Sequence, residues 1–167
     1  MFLLPGQDGN VAAILNNINV HFFFGEMFMK EEYIKELYKL AYKAYKKKEV
    51  PVSAILVCNN KIISKAYNKK NINKNPLLHA EIICLNKAYK KLKRWNLNDC
   101  EMYVSLEPCD LCKMVIQESR IDYVYYILNQ GSITNKYTKT IYEQTYVPGS
   151  LTINKLMKDF FKKIRKK

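Results

Sequence analysis

No run of 18 or more apolar residues occurs in this chain of 167, so no segment is expected to cross a bilayer as a helix. Basic residues are missing before Lys30, and the only charges among the first 26 residues are Asp8 and Glu26. With no basic start and no small-residue cleavage site, a secretory signal is not expected. Arginine is missing before Arg94, which argues equally against an Arg-rich transit peptide. No internal repeat is found, and no linker long enough to divide the chain. Cysteine is scarce and odd in number, five in all, and two of the five form a Cys-x-x-Cys. That pattern favours metal over a disulfide framework and a cytoplasmic location over a secreted one. Residues 1–28, apolar at Phe2–Pro5 and His21–Gly25, read as a leader. With Met27 and Met29 as alternative starts, it is expected to be a poorly ordered extension or a mis-assigned start. Residues 29–167 are expected to form one domain.

What is present supports a folded chain. A hydrophobic content of 49% is enough for a core, and a chain of this length buries roughly two-thirds of its unfolded surface. Acidic residues are outnumbered, 15 against 28 basic ones, for a net charge of +13. The excess fits a polyanionic partner, either nucleic acid or an anionic membrane surface. It fits equally a compositional bias toward Lys, Asn, Ile and Tyr.

Apolar residues at Ile34, Leu37, Tyr38, Ala41 and Tyr45 predict a helix over about Glu31–Lys48. Beyond Pro51, Val52–Cys58 and Lys61–Tyr67 read as strands joined by a turn at Asn59-Asn60. An Asn- and Lys-rich loop leads to a second helix over about His79–Leu92. Glu101–Leu106 is a third strand, Cys109–Glu118 a short helix entered through Pro108, and Asp122–Leu128 a fourth strand. Residues 130–150 carry no clear period. A last amphipathic helix is expected from Asn154 to the end, with Leu156, Phe160, Phe161 and Ile164 on one side. This order predicts an α/β fold of three layers, α/β/α, with a mixed central sheet and helices on both faces.

Two short motifs carry the chemistry: His79-Ala80-Glu81, opening the second helix, and Pro108-Cys109-Asp110-Leu111-Cys112, opening the third. One imidazole and two thiolates suit zinc, and Cys109 and Cys112, three apart, share a helix face. A helix N-terminus favours the thiolate form that binds metal. A closed structural site needs a fourth ligand, and the candidates are His21, Cys58, Cys84 and Cys100. Cys84 lies about 140° round the helix from His79, and Cys100 lies at the far end of a strand, roughly 20 Å from Leu106. Cys58 ends a strand on a different connection, and His21 lies in the leader. Each reads instead as a small buried hydrophobe or a bystander, leaving three ligands and one open position, the catalytic pattern. In mid-helix Glu81 would point some 200° away from His79. The two converge only if the metal sits off the helix N-terminus, where Glu81 would stand beside the activated water as a proton carrier.

His79-Ala80-Glu81 with Pro108-Cys109-x-x-Cys112 matches the signature of zinc nucleobase deaminases. More narrowly the chain resembles the bacterial tRNA-specific adenosine deaminases of the cytidine-deaminase-like fold. The resembling stretches are Glu49-Val50-Pro51-Val52 with Ala54, Tyr67-Asn68, Asn75-Pro76, His79-Ala80-Glu81-Ile82, Tyr103 to Cys109, Ser119-Arg120-Ile121, and Phe160-Phe161 with its Lys/Arg run. The resemblance implies one Zn²⁺ per subunit on His79, Cys109 and Cys112, with Glu81 as the catalytic proton shuttle. It implies a flipped adenine held by Asn68 in a pocket lined by Val52, Ala80, Leu106 and Pro108. The reaction implied is hydrolytic deamination of adenosine to inosine at the wobble position of a tRNA anticodon stem-loop, by a cytoplasmic homodimer.

Departures from the family pattern are Ser53 in place of Gly, Leu77-Leu78 before His79, and Tyr126–Gln130, which lacks the usual Gly-Ala and Asp of an RNA-gripping segment. The competing expectation is a deaminase of a free base or nucleoside, guanine or cytosine. Against it stand Leu106-Glu107-Pro108, Asn68, and the basic residues Lys158, Lys162, Lys163, Arg165, Lys166 and Lys167 set against Asp159 alone. A zinc-stabilised RNA-binding module without activity would have no need of Glu81.

Overall fold

The computed structural model describes residues 29–130, 140–145 and 150–165, with side chains from 153 onward in the last stretch. The expected leader at 1–28 lies outside the described residues, as do Lys166 and Lys167. In chain order the elements are α1 (Glu31–Lys46), β1 (Ser53–Cys58), β2 (Lys61–Tyr67), α2 (Ala80–Leu92), β3 (Cys100–Leu106), α3 (Asp110–Glu118), β4 (Tyr123–Leu128), β5 (Ile141–Gln144) and α4 (Ser150–Arg165).

The five strands form one sheet in the order β2-β1-β3-β4-β5. β1 pairs antiparallel with β2 and β3, while β3–β4 and β4–β5 are parallel. The β1–β2 hairpin turns through Asn59 and Asn60, both at positive φ (51° and 60°). A two-residue primed turn requires that conformation and Asn tolerates it.

Strand alternation sorts the core into two layers. Ile55, Val57, Tyr103, Tyr125 and Ile127 face one side, where they pack with Tyr33, Leu37 and Ala41 of α1 and Ile153 and Leu156 of α4. Ala54, Leu56, Met102, Val104 and Val124 face the other, against Cys84, Leu85 and Ala88 of α2 and Ile116 of α3. All six residues of β1 are buried, as expected of a strand covered on both faces. The expected three-layer α/β/α architecture with a mixed sheet is the one observed.

Three details differ from the sequence reading. α1 ends at Lys46 because Lys48 takes a positive φ of 59°. β5, four residues at the sheet edge with middle positions only half-buried, lies in the stretch that showed no period. α4 begins at Ser150, four residues before the expected start.

Cys58 and Cys100 are not bystanders: they form a disulfide between β1 and β3. The antiparallel register sets them directly opposite one another, with Cα atoms 4.3 Å apart. Cross-strand pairs in such a ladder face the same side of the sheet, so two thiols placed there are within bonding reach.

Candidate metal centre

The strand ends set the position of the site. Register places Ser53 opposite Tyr67 and pairs Leu106 with Leu128. The start of β1 and the ends of β2, β3 and β4 therefore lie along one edge of the sheet. α2 and α3 begin at that edge, His79 being the residue that caps α2 and Cys109 the one that caps α3. Both caps have extended backbone, with ψ of 153° and 167°. The 100°-per-residue geometry of a helix therefore does not separate His79 from Glu81, and the two share one cavity wall.

Cys112 Sγ and Cys109 Sγ lie 3.4 and 3.6 Å from His79 Nδ1, and the three ligand atoms fall within 4.8 Å of one another. A tetrahedral zinc with Zn–S of about 2.3 Å and Zn–N of about 2.0–2.1 Å holds sulfur and nitrogen about 3.6 Å apart. The observed separations fit a zinc ion. Among the described residues no fourth His, Cys, Asp or Glu joins this group. Cys84 is buried in the core and its sulfur lies 3.1 Å from Ser64 Oγ; burial pushes its thiol up to about 12.

The electrostatics suit a metal that displaces protons. The hydrogen bond from the Cys112 thiol, helped by the Cys112 backbone N–H and by His79, outweighs burial and holds Cys109 down at about 5. Hydrogen bonding to Cys109, followed by burial, pushes Cys112 up. Burial raises the Glu81 carboxyl to about 7. Its side chain is 3% exposed, and its Oε2 has no hydrogen-bond partner. A buried, unpartnered carboxylate oxygen is costly.

A cavity of about 190 Å³ opens at the centre, lined by Val50, Val52, Asn68, Lys70, His79, Glu81, Leu106, Glu107, Cys109 and Gln130. It is smaller than the roughly 300–1,000 Å³ of pockets for drug-sized ligands. Of the expected substrate-binding residues, Val52, Asn68 and Leu106 line it. Ala80 does not, being wholly buried in the core under the sheet. Pro108 is buried in the turn ahead of Cys109 and is also absent from the wall.

The structure shows what holds Asn68 and the ligand loop in place, which the sequence did not. Glu49, fully buried, accepts from Asn68 Nδ2 (3.1 Å) and from the backbone N–H of Ile72 (2.6 Å). A carboxylate can only accept here, so the Asn68 amide is turned with its nitrogen toward Glu49. Glu107 accepts from Lys113 Nζ at 2.8 Å and from the backbone N–H of Gln130 at 3.1 Å. It thereby ties the ligand loop to α3 and to the segment that departs from the family pattern. The one sequence clue to Lys113 is its spacing three before Ile116, on the inner face of α3. Ser53, the Gly replacement, donates its hydroxyl to the Leu37 carbonyl at 2.7 Å, so the hydroxyl has a partner inside the core.

The zinc-binding region of cytidine and deoxycytidylate deaminases matches residues 27–128. The tRNA-specific adenosine deaminase of Bacillus subtilis (strain 168) is 33% identical over 100 residues, covering 60% of this chain and 62% of that protein. The chain thus spans less than two thirds of that relative. The tRNA-specific adenosine deaminase of Rickettsia bellii is 37% identical over 147 residues, covering 79% of this chain and 99% of the relative. A solved structure from a study of A-to-I editing by tRNA:A34 deaminases at the wobble position of transfer RNA superposes with a TM-score of 0.69. It is 21% identical and covers 76% of this chain and 99% of that one, a likeness of fold.

Proposed function

The chain belongs to the cytidine and deoxycytidylate deaminase zinc-binding family, and from that premise we propose that it converts adenosine to inosine at the wobble position of tRNA by hydrolysis. The observation that carries the chemistry is Glu81 Oε2, buried and unpartnered in the same cavity as His79 and Cys109. His79, Cys109 and Cys112 would hold the zinc. When bound, the ion supplies the Lewis acidity that makes a water nucleophilic near neutral pH.

The remaining work falls to the protein's own groups. Glu81 takes one proton from the attacking water and delivers it to ring N1 of adenine as the C6–O bond forms. It then takes the second proton from the new C6 hydroxyl and delivers it to the exocyclic nitrogen, so that the C6–N bond breaks, ammonia leaves and Glu81 ends as the carboxylate it began as. Adenosine and water become inosine and ammonia. Val52 and Leu106 give the base apolar walls. Asn68, turned by Glu49, keeps its Oδ1 and second Nδ2 hydrogen for the base. The substrate choice draws support from the names of both relatives and from the basic α4, with Lys162, Lys163 and Arg165 in its last turn.

A homodimer and a cytoplasmic location belong to the same reading. Leu111 and Met114 expose apolar surface on α3 (41% and 63%) that a second copy would cover. No helix among the described residues is long and apolar enough to cross a membrane. The test is to incubate zinc-loaded protein with an anticodon stem-loop carrying adenosine at the wobble position, and separately with guanine, cytosine and cytidine. Inosine in the stem-loop alone is the expected result. Ammonia from a free base, with the RNA untouched, overturns the substrate.

A further inference from the structure

Three lysines converge on one ring beside the pocket. Lys43, Lys47 and Lys69 place Nζ at 5.5, 6.0 and 5.4 Å from the centroid of Tyr67, the last residue of β2. Lys43, in the last turn of α1, lies one turn from Lys47, the residue that caps the helix, and Lys69 comes from the loop after β2. Asn68, between Tyr67 and Lys69 in the chain, lines the cavity, and so does Lys70. The cluster therefore lies within a residue or two of the pocket mouth.

The ring and the helix do not account for the arrangement. The Tyr67 ring is itself buried, 9% exposed, and one cation over its face would satisfy it. Cations at a helix C-terminus complement its dipole, which explains Lys43 and Lys47 but not Lys69. Among the described residues, the salt bridges engage Lys35, Lys65, Arg94 and Lys113, none of the three. The acidic residues of α1 are Glu31, Glu32 and Glu36, in its first half, and Glu36 faces Lys65. Glu49, the nearest carboxylate in sequence, is buried against Asn68 and Ile72. Three ammonium groups around one ring, with no carboxylate paired to them among the described residues, leave a positive concentration that an external anion would relieve.

We propose that Lys43, Lys47 and Lys69 form a cradle for the RNA phosphates flanking the nucleotide in the pocket. The proposal rests on the tRNA reading and gives it a surface on α1 and the β2–α2 loop, apart from the basic α4. Phosphate contacts fix register without reading sequence, which is what a pocket for a single base requires of its surroundings.

The test uses the full zinc-loaded chain, a fluorescent anticodon stem-loop and a KCl series. The variants are the triple Lys43→Gln/Lys47→Gln/Lys69→Gln and its Lys→Arg counterpart, with zinc content and urea midpoint measured for each. The Gln variant is expected to keep its zinc, bind at least 10-fold more weakly, and show a salt slope shallower by about 2, given roughly 0.7 per phosphate on a single strand. The Arg variant is expected to bind as wild type does. Wild-type affinity and slope in the Gln variant would overturn the cradle alone. A wild-type protein that fails to bind the stem-loop would overturn the cradle together with the tRNA reading.

Discussion

Lys113 Nζ lies 2.8 Å from Glu107 Oε1, and the two side chains are only 4% and 2% exposed. Glu107 stands two residues before Cys109 and Lys113 one residue after Cys112, so a buried ion pair closes the ligand loop onto α3. Tyr142 of β5 lies over the same ammonium, at 5.3 Å, and its hydroxyl donates to the Lys113 carbonyl at 3.4 Å. Removing one partner of a buried pair typically costs about 3–5 kcal/mol, because the other charge is left uncompensated. Lys113→Met is expected to lose that much in urea denaturation and to bind zinc more weakly in competition with a chromophoric chelator. Glu107→Leu with Lys113→Met is expected to recover part of the stability.

Removing zinc should expose one cysteine ahead of the others. At pH 7 iodoacetamide is expected to modify Cys109, half-buried at the start of α3, long before Cys84. The Cys84 thiol is pushed up to about 12 and therefore stays protonated. Saturating zinc is expected to protect Cys109. Peptide mapping by mass spectrometry reads both outcomes, and labelling of Cys109 at equal rates with and without zinc would count against its place as a ligand.

Glu49 holds the Asn68 amide through a 3.1 Å hydrogen bond. Glu49→Ala removes a charged acceptor from two donors, and hydrogen bonds to charged groups contribute about 1.5–3 kcal/mol each. The variant is expected to lose stability on that order and to lower kcat/KM at least 10-fold, chiefly through KM, with one zinc still bound per chain. A kcat/KM that tracked only the loss of folded protein would leave Glu49 a purely structural role.

The Cys58–Cys100 disulfide closes a separation of 42 residues. Chain-entropy reasoning for a loop of that length gives about 4 kcal/mol, at the upper end of the usual 2–4. Cys58→Ala with Cys100→Ala is expected to lower the urea midpoint accordingly. Zinc content and turnover are expected to stay unchanged, because Cys100 begins β3 and the site lies beyond its other end. A non-reduced peptide map lacking the linked pair would remove the bond.

The sequence carried the metal centre further than it carried the fold around it. Cys109 and Cys112 are local, three apart, and their chemistry is legible once His79-Ala80-Glu81 is set beside them. His79 and Glu81 converge only at a helix N-terminus, a condition the sequence states, and the structure meets it by making His79 the extended cap residue of α2. β5 was missed because its four residues are held by parallel pairing to β4, a non-local contact with no turn signal. Cys58 and Cys100 needed the register of two strands 42 residues apart. Lys113 carried only the faint signal of a charge on an inward helix face.

On the proposed function, Glu81 moves the protons beside a zinc held by His79, Cys109 and Cys112. Glu81→Gln is set against wild type for zinc per chain and for inosine formed in the wobble-adenosine stem-loop. One zinc is expected in both proteins, with a rate lower by at least about 10²-fold in the variant, the scale of a lost general acid–base. Near-wild-type inosine formation from Glu81→Gln would remove Glu81 from the chemistry.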